Sequence, residues 1–147
     1  MLFRSNTTLI LGFNTNSNVD TQVAAAKPII SAHPAVKNII AISHKNGHVF
    51  PNAHHPAEAA DLYSQLEKMI PNGVKFYEVN GHNHNLAESS NGLWFISGAG
   101  GKSHYSCGTS AEWPYCNNSD NGYLQFTIDN QGQITPNFID TSGKVLH

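Results

Sequence analysis

The chain has 147 residues, enough for one domain or part of one, and 39% of them are hydrophobic, enough to build a core. Its formal net charge is −2, with no basic tail and no Lys/Arg cluster, so it carries no footprint for a nucleic-acid backbone. The longest apolar neighbourhood, Ile39 to Ile42, is far too short to cross a bilayer. The start, Met1-Leu2-Phe3-Arg4-Ser5-Asn6, lacks the charged-then-apolar pattern of a signal peptide.

In chain order, Thr8 to Phe13 reads as a buried strand running into the polar Asn14-Thr15-Asn16. Val19 to Ala32 places Val23, Ala26, Ile29 and Ile30 on a helical period. Asp20 is the expected N-cap, and Pro28 is expected to break or kink the helix. Val36 to Ile42 is a strand apolar on both faces, as in the middle of a covered sheet, and it stops at Ser43-His44. A polar loop, Lys45 to Pro56, leads into a helix over Ala57 to Ile70. Ala59, Leu62, Tyr63, Leu66, Met69 and Ile70 share one of its faces, and Asn72-Gly73 closes it.

Val74 to Val79 is the third strand and runs into Gly81-His82-Asn83-His84. Gly92 to Ser97 is the fourth and runs into Gly98-Ala99-Gly100-Gly101. His104 to Asn121 has no period and reads as a long loop. Tyr123 to Ile128 and Gln133 to Ile139 alternate as a hairpin around Asn130-Gln131-Gly132. The alternation of strands and helices predicts an α/β fold with a mostly parallel, covered sheet followed by an antiparallel extension. Sites in such sheets form at the carboxyl ends of strands. His44, His82 with His84, and the glycine run all fall there.

Charged residues are only 12% of the chain, about half the usual share. Asn, Ser, Thr, Gln and His carry the polarity instead, a balance that suits a secreted or cell-surface protein. Nine histidines outnumber the eight Lys plus Arg, and six of the nine fall between His44 and His84, which points to metal binding. Spacing alone leaves His82 and His84 open between two ligands aimed into one cavity and a polar turn facing water. There Gly81 is expected to supply the backbone freedom. His44 alone reads more readily as a strand-end cap or a solvated residue than as a ligand. Lys45 suits a phosphate contact or plain solvation, and His54-His55 suit ligation, substrate contact or a surface turn. Cys107 and Cys116 flank a loop with little apolar content, where a disulfide is the favoured reading over two free thiols or a metal pair. Asn6-Thr7-Thr8 and Asn117-Asn118-Ser119 match the glycosylation triplet, which an Asn-rich chain also produces by chance.

Three segments taken together are more specific. Ile40-Ala41-Ile42-Ser43-His44, Gly81-His82-Asn83-His84 and Trp94-Phe95-Ile96-Ser97-Gly98-Ala99-Gly100-Gly101, in this order, resemble the calcineurin-like metallophosphoesterases, nearest the purple-acid-phosphatase-type branch. Leu9 to Asn16 resembles the strand that opens the second half of that domain, and Gly122 to Leu146 resembles its closing strands. The resemblance thus spans nearly all of residues 1–147. It implies the second half of a phosphoesterase sandwich, with mixed β-sheets flanked by helices. It also implies a phosphoester substrate and two divalent metals of the Mn, Fe or Zn class, roughly 3.5–4 Å apart, which clamp both oxygens of an in-line displacement. His44 and His82 would bind one metal and His84 the other. The residues themselves, apart from the resemblance, place Lys45, His54 and His55 toward the substrate. The family's Asp-x-His, Gly-Asp-x-x-Asp and Gly-Asn-His motifs do not occur in this sequence. The resemblance therefore implies that a missing N-terminal half supplies the bridging carboxylate. The competing expectation is a catalytically inactive cell-surface module that binds metal or a partner with the same loops; a purely structural domain with accidental histidines fits the ordered motifs least.

Overall fold

The computed structural model of the chain describes residues 2–4 by their backbone, and residues 7–51 and 57–147 in full. The strands are β1 (Leu2–Arg4), β2 (Thr8–Gly12), β3 (Asn38–Ser43), β4 (Lys75–Asn80), β5 (Leu86–Glu88), β6 (Trp94–Ser97), β7 (Tyr115–Asn117), β8 (Gly122–Ile128) and β9 (Ile134–Asp140). The helices are α1 (Val19–Ser31) and α2 (Ala60–Glu67). The first seven strands form one mixed sheet in the order β1-β2-β3-β4-β6-β5-β7, and β8-β9 form a separate hairpin.

The parallel heart is β2-β3-β4-β6. Its register sets Ile40 against Ile10 and Tyr77, and Ser43 against Asn80, so β3 and β4 end level with one another. One face carries Leu9, Leu11, Ile39 and Ala41 against the apolar sides of α1 and α2, from Ala26 and Ile30 to Leu62, Tyr63 and Leu66. The other face carries Ile40, Tyr77 and Phe95 against Ile134 and Phe138 of the hairpin. Each fully buried Leu, Ile or Phe in these layers contributes about 1.5–3 kcal/mol. The hairpin therefore stacks on the sheet as a layer; it does not lengthen the sheet as an antiparallel extension. The extension is made instead by β5 and β7, two three-residue strands within or beside stretches without sequence periodicity.

Three local expectations change. The N-cap of α1 is Asn18, not Asp20: its Oδ1 accepts the Thr21 N–H at 2.9 Å, while Asp20 falls inside the first turn. Pro28 does not break α1, which runs on to Ser31 and whose next bond, Ala32 N–H to the Pro28 carbonyl, is 3.0 Å. The ring faces solvent in the last turns, where it removes a single N–H. Helix α2 is shorter than Ala57–Ile70. After Glu67 the chain tightens into three-residue bonds, Met69 N–H to Leu66 O (2.8 Å) and Ile70 N–H to Glu67 O (3.2 Å). Met69 and Ile70 still reach the core from that turn. Among the described residues no helix is long and apolar enough to cross a membrane.

Candidate metal centre

The level carboxyl ends of β3 and β4 are tied together from beneath. Ser43 donates its hydroxyl to the Lys45 carbonyl (2.8 Å). The Asn80 amide donates to Ser43 Oγ and to Tyr63 Oη, both at 2.9 Å, and the Tyr63 hydroxyl closes on Ser43 Oγ at 3.0 Å. Burial, then the nearby Glu78 carboxylate, pushes the Tyr63 phenol far above its ordinary value, so it stays a neutral donor. Above this knot the ladder gains one more rung, Gly81 N–H to His44 O at 3.2 Å. His44 and the His82 loop thereby sit side by side.

The loop itself consists of two consecutive three-residue turns. Asn83 N–H bonds to the Gly81 carbonyl at 2.7 Å and Asn85 N–H to the Asn83 carbonyl at 2.8 Å, so His82 and His84 each occupy the centre of a γ-type turn. His82 has φ of +58° and is the one non-glycine with a positive φ among the described residues. Such a conformation costs an L-residue on the order of 1 kcal/mol, and such outliers concentrate at functional sites. The unusual backbone conformation expected of Gly81 thus lies one residue later, on a histidine. Gly98, from the run after β6, is needed for a different reason: a Cβ there would collide with the Asn83 carbonyl oxygen. The glycine run lets the backbone pass against the histidine loop.

His44 and His82 meet directly. His44 Nε2 lies 2.9 Å from His82 Nδ1, with the rings edge to face at 71°. The other nitrogen of His82, Nε2, lies 2.9 Å from Glu58 Oε2. A carboxylate only accepts, so Nε2 carries a proton, and in the neutral ring Nδ1 accepts from His44 Nε2–H. Two imidazole nitrogens bound to one ion at about 2.0–2.1 Å stand roughly 2.9 Å apart at a right angle and roughly 3.3 Å at a tetrahedral angle. In the structure the contact is an imidazole–imidazole hydrogen bond, and its length is also compatible with two ligands on one metal. The imidazole–carboxylate contact behind it has the form that orients a ligating histidine.

His84 turns to a different partner: its Nδ1 lies 3.0 Å from the Ser103 carbonyl and its ring stacks on Tyr105 at 4.2 Å. Lys45 lies 3.6 Å from Glu58 Oε1, so the lysine proposed for phosphate is spanned by a carboxylate. His54 and His55 lie outside the described residues. Among the described residues no three His, Cys, Asp or Glu side chains gather as a complete ligand set. What is present is a hydrogen-bonded imidazole pair, with a third imidazole held two residues along the same loop. Cys107 and Cys116 are joined in a disulfide, with Cα atoms 5.9 Å apart, consistent with an oxidising location.

Sequence reasoning missed two acids. Glu58, in the turn before α2, backs His82 and carried no signal of its own. Glu78 did carry one, as the lone acid inside the apolar strand Phe76-Tyr77-Glu78-Val79. It is 2% exposed, its Oε1 accepts the Gly47 N–H at 2.6 Å, and its Oε2 faces His48 Nε2 at 3.2 Å. Gly47 packs so tightly there that a Cβ would strike the Tyr63 ring. Compared with protein-family models and with curated proteins, the chain matches none.

Proposed function

We propose that this chain supplies the histidine half of a metal-dependent phosphoester-hydrolysing site. His44 and His82 hold one divalent ion of the Mn, Fe or Zn class, and His84 reaches the same ion or a second one. The carrying observation is the His44–His82 nitrogen pair, 2.9 Å apart at the carboxyl ends of two parallel strands, with Glu58 behind it. The ordered motifs that resemble calcineurin-like phosphoesterases support the same reading. A bound ion would polarise a phosphoryl oxygen and activate water. The chain's own residues do the positioning. Glu58 holds the His82 proton on Nε2, the γ-turn aims Nδ1, and Lys45 stands beside Glu58 where a phosphate oxygen could draw it away.

A complete two-metal site requires carboxylates to offset about four positive charges, and these three imidazoles offset none. The motifs that supply them in the family do not occur in these 147 residues; on this reading a separate N-terminal half would have to supply them. That lack also favours the second reading, an inactive metal- or partner-binding module. For both readings we place the protein outside the cytosol, in keeping with the Cys107–Cys116 bridge.

The test is Zn²⁺ titration by calorimetry, followed by aryl-phosphate hydrolysis with and without an added N-terminal half. We expect one ion bound and feeble turnover by the chain alone. Turnover should recover with the added half and be abolished by His82→Ala. Binding without recovered turnover selects the metal-binding module; no Zn²⁺ binding at all rejects the metal site in both readings and leaves only a partner-binding module.

A further inference from the structure

The long segment between β6 and β7 contains no helix or strand over residues 98–114, yet it provides both partners of His84. Ser103 presents its carbonyl to Nδ1 at 3.0 Å, and Tyr105 stacks on the ring at 21° between planes. A carbonyl oxygen only accepts, so Nδ1 carries the proton and, in the neutral ring, Nε2 keeps a free lone pair. That is the tautomer a metal ligand needs at Nε2.

What fastens this segment is the crosslink two residues beyond Tyr105. Cys107 is bonded to Cys116 of β7, and Cys116 pairs with Ala87 of β5, the strand that begins two residues after His84. Asn85, fully buried between His84 and that strand, points its amide at Cys107 Sγ (3.5 Å), Cys116 Sγ (3.6 Å) and the Ser106 carbonyl (3.5 Å). The covalent bridge and the imidazole therefore belong to one closed circuit: His84 to Asn85 to β5, across to β7, through the disulfide, and back along Tyr105 and Ser103 to His84. The far part of the segment has its own anchors, Trp113 Nε1 to the Val49 carbonyl (2.8 Å) and Ser90 N–H to the Glu112 carbonyl (2.7 Å).

We propose that the Cys107–Cys116 disulfide is a positioning latch for His84. It holds the Ser103 carbonyl and the Tyr105 ring in place, and so fixes the imidazole in the orientation and tautomer that leaves Nε2 free to ligate. Opening the bridge releases residues 103–107 while the anchors at Glu112 and Trp113 keep the rest of the segment on the sheet. The ligating role of His84 rests on the function proposed above; the latch itself does not.

The experiment reads the latch without metal. Ring-nitrogen NMR on the metal-free, disulfide-bonded chain is expected to give His84 a protonated Nδ1 and an unprotonated Nε2. In Cys107→Ser/Cys116→Ser the two tautomers should mix. The wild type reduced by dithiothreitol should match that variant; the reagent takes the bridge to two thiols and itself becomes a cyclic disulfide. The same His84 tautomer in the open and closed forms would overturn the proposal. Global unfolding of both open forms, seen by circular dichroism, would also overturn it, because the bridge would then staple the domain and not the imidazole. A second arm titrates Zn²⁺. Opening the bridge should weaken binding about tenfold, within the range for residues that orient ligands, and should change nothing further in a His84→Ala background. If wild type takes up no Zn²⁺, the metal reading fails, while the NMR result still decides the latch.

Discussion

Two imidazole–carboxylate pairs stand close together in the chain and do opposite work. His82 and Glu58 meet at 2.9 Å where the glutamate side chain is 36% exposed; His48 and Glu78 face each other at 3.2 Å where the glutamate is 2% exposed. The exposed pair leaves the other imidazole nitrogen of His82 hydrogen-bonded to a second imidazole, His44, and the proposed metal site rests on that contact. The buried pair is held by its surroundings: Gly47 N–H donates to one carboxylate oxygen, His48 Nε2 lies 3.2 Å from the other as a charge contact without hydrogen-bond geometry, and the His48 ring stacks on Trp94 at 3.4 Å. It clamps the loop that leaves β3 onto the sheet, four residues beyond His44. The two pairs thus differ in the burial of the carboxylate and not of the imidazole, which is 17% exposed in His82 and 23% exposed in His48; an unpaired charge is costly only at the dry carboxylate.

The contrast is broken most severely at the buried pair. Glu78→Ala strands the Gly47 N–H and removes the partner of His48, so unfolding free energy in urea should fall by about 2–4 kcal/mol. The lower part of the range for a broken buried pair applies because His48 keeps one edge in water. A loss below about 1 kcal/mol would show that the carboxylate fastens nothing.

A smaller effect is expected at the exposed pair. Glu58→Gln keeps an acceptor oxygen for His82 but removes the charge and the ion pair with Lys45, itself worth at most about 1 kcal/mol on the surface. Stability should hardly change, while Zn²⁺ affinity should fall about tenfold by calorimetry. Unchanged affinity would mean that Glu58 does not orient His82.

Much of the frame around these pairs was legible in the sequence. The two-faced apolar run around Ile39–Ile42 and the periodic face from Leu62 to Ile70 declare a covered sheet with helices. The strand-end positions of His44 and His82 follow from where those runs stop. The rest depends on long-range partners. Strands β5 and β7 are three residues each and exist because Ala87 finds Cys116 across an intervening loop, which no local period encodes. Asn18 wins the cap from Asp20 by starting the helix two residues earlier. The left-handed backbone falls on His82 and not Gly81 because the tight turns and the Gly98 contact over-determine the loop. Glu58 was invisible because a surface acid near a helix start has an ordinary local explanation.

The finest distinction between the pairs is their response to pH. Burial raises the Glu78 carboxyl above its ordinary 4.5, with Glu67 adding to the rise and with His48 and the Gly47 N–H pulling back less than burial pushes. A carboxyl raised in the folded state binds its proton more tightly there than in the unfolded chain. Its contribution to stability is therefore fully present below about pH 4.5 and is lost as pH climbs through the raised folded value, after which it levels off. Glu78→Gln cannot titrate, so the difference in unfolding free energy, wild type minus variant, should decline with rising pH across that window. Its slope can reach at most about 1.4 kcal/mol per pH unit, one proton's worth. Urea curves at half-unit steps from pH 4 upward measure it, and Glu58→Gln run alongside controls for surface charge. Parallel wild-type and Glu78→Gln profiles would mean that His48 and Gly47 fully offset the burial of Glu78. In that case the two pairs would differ in exposure alone and not in the proton they hold.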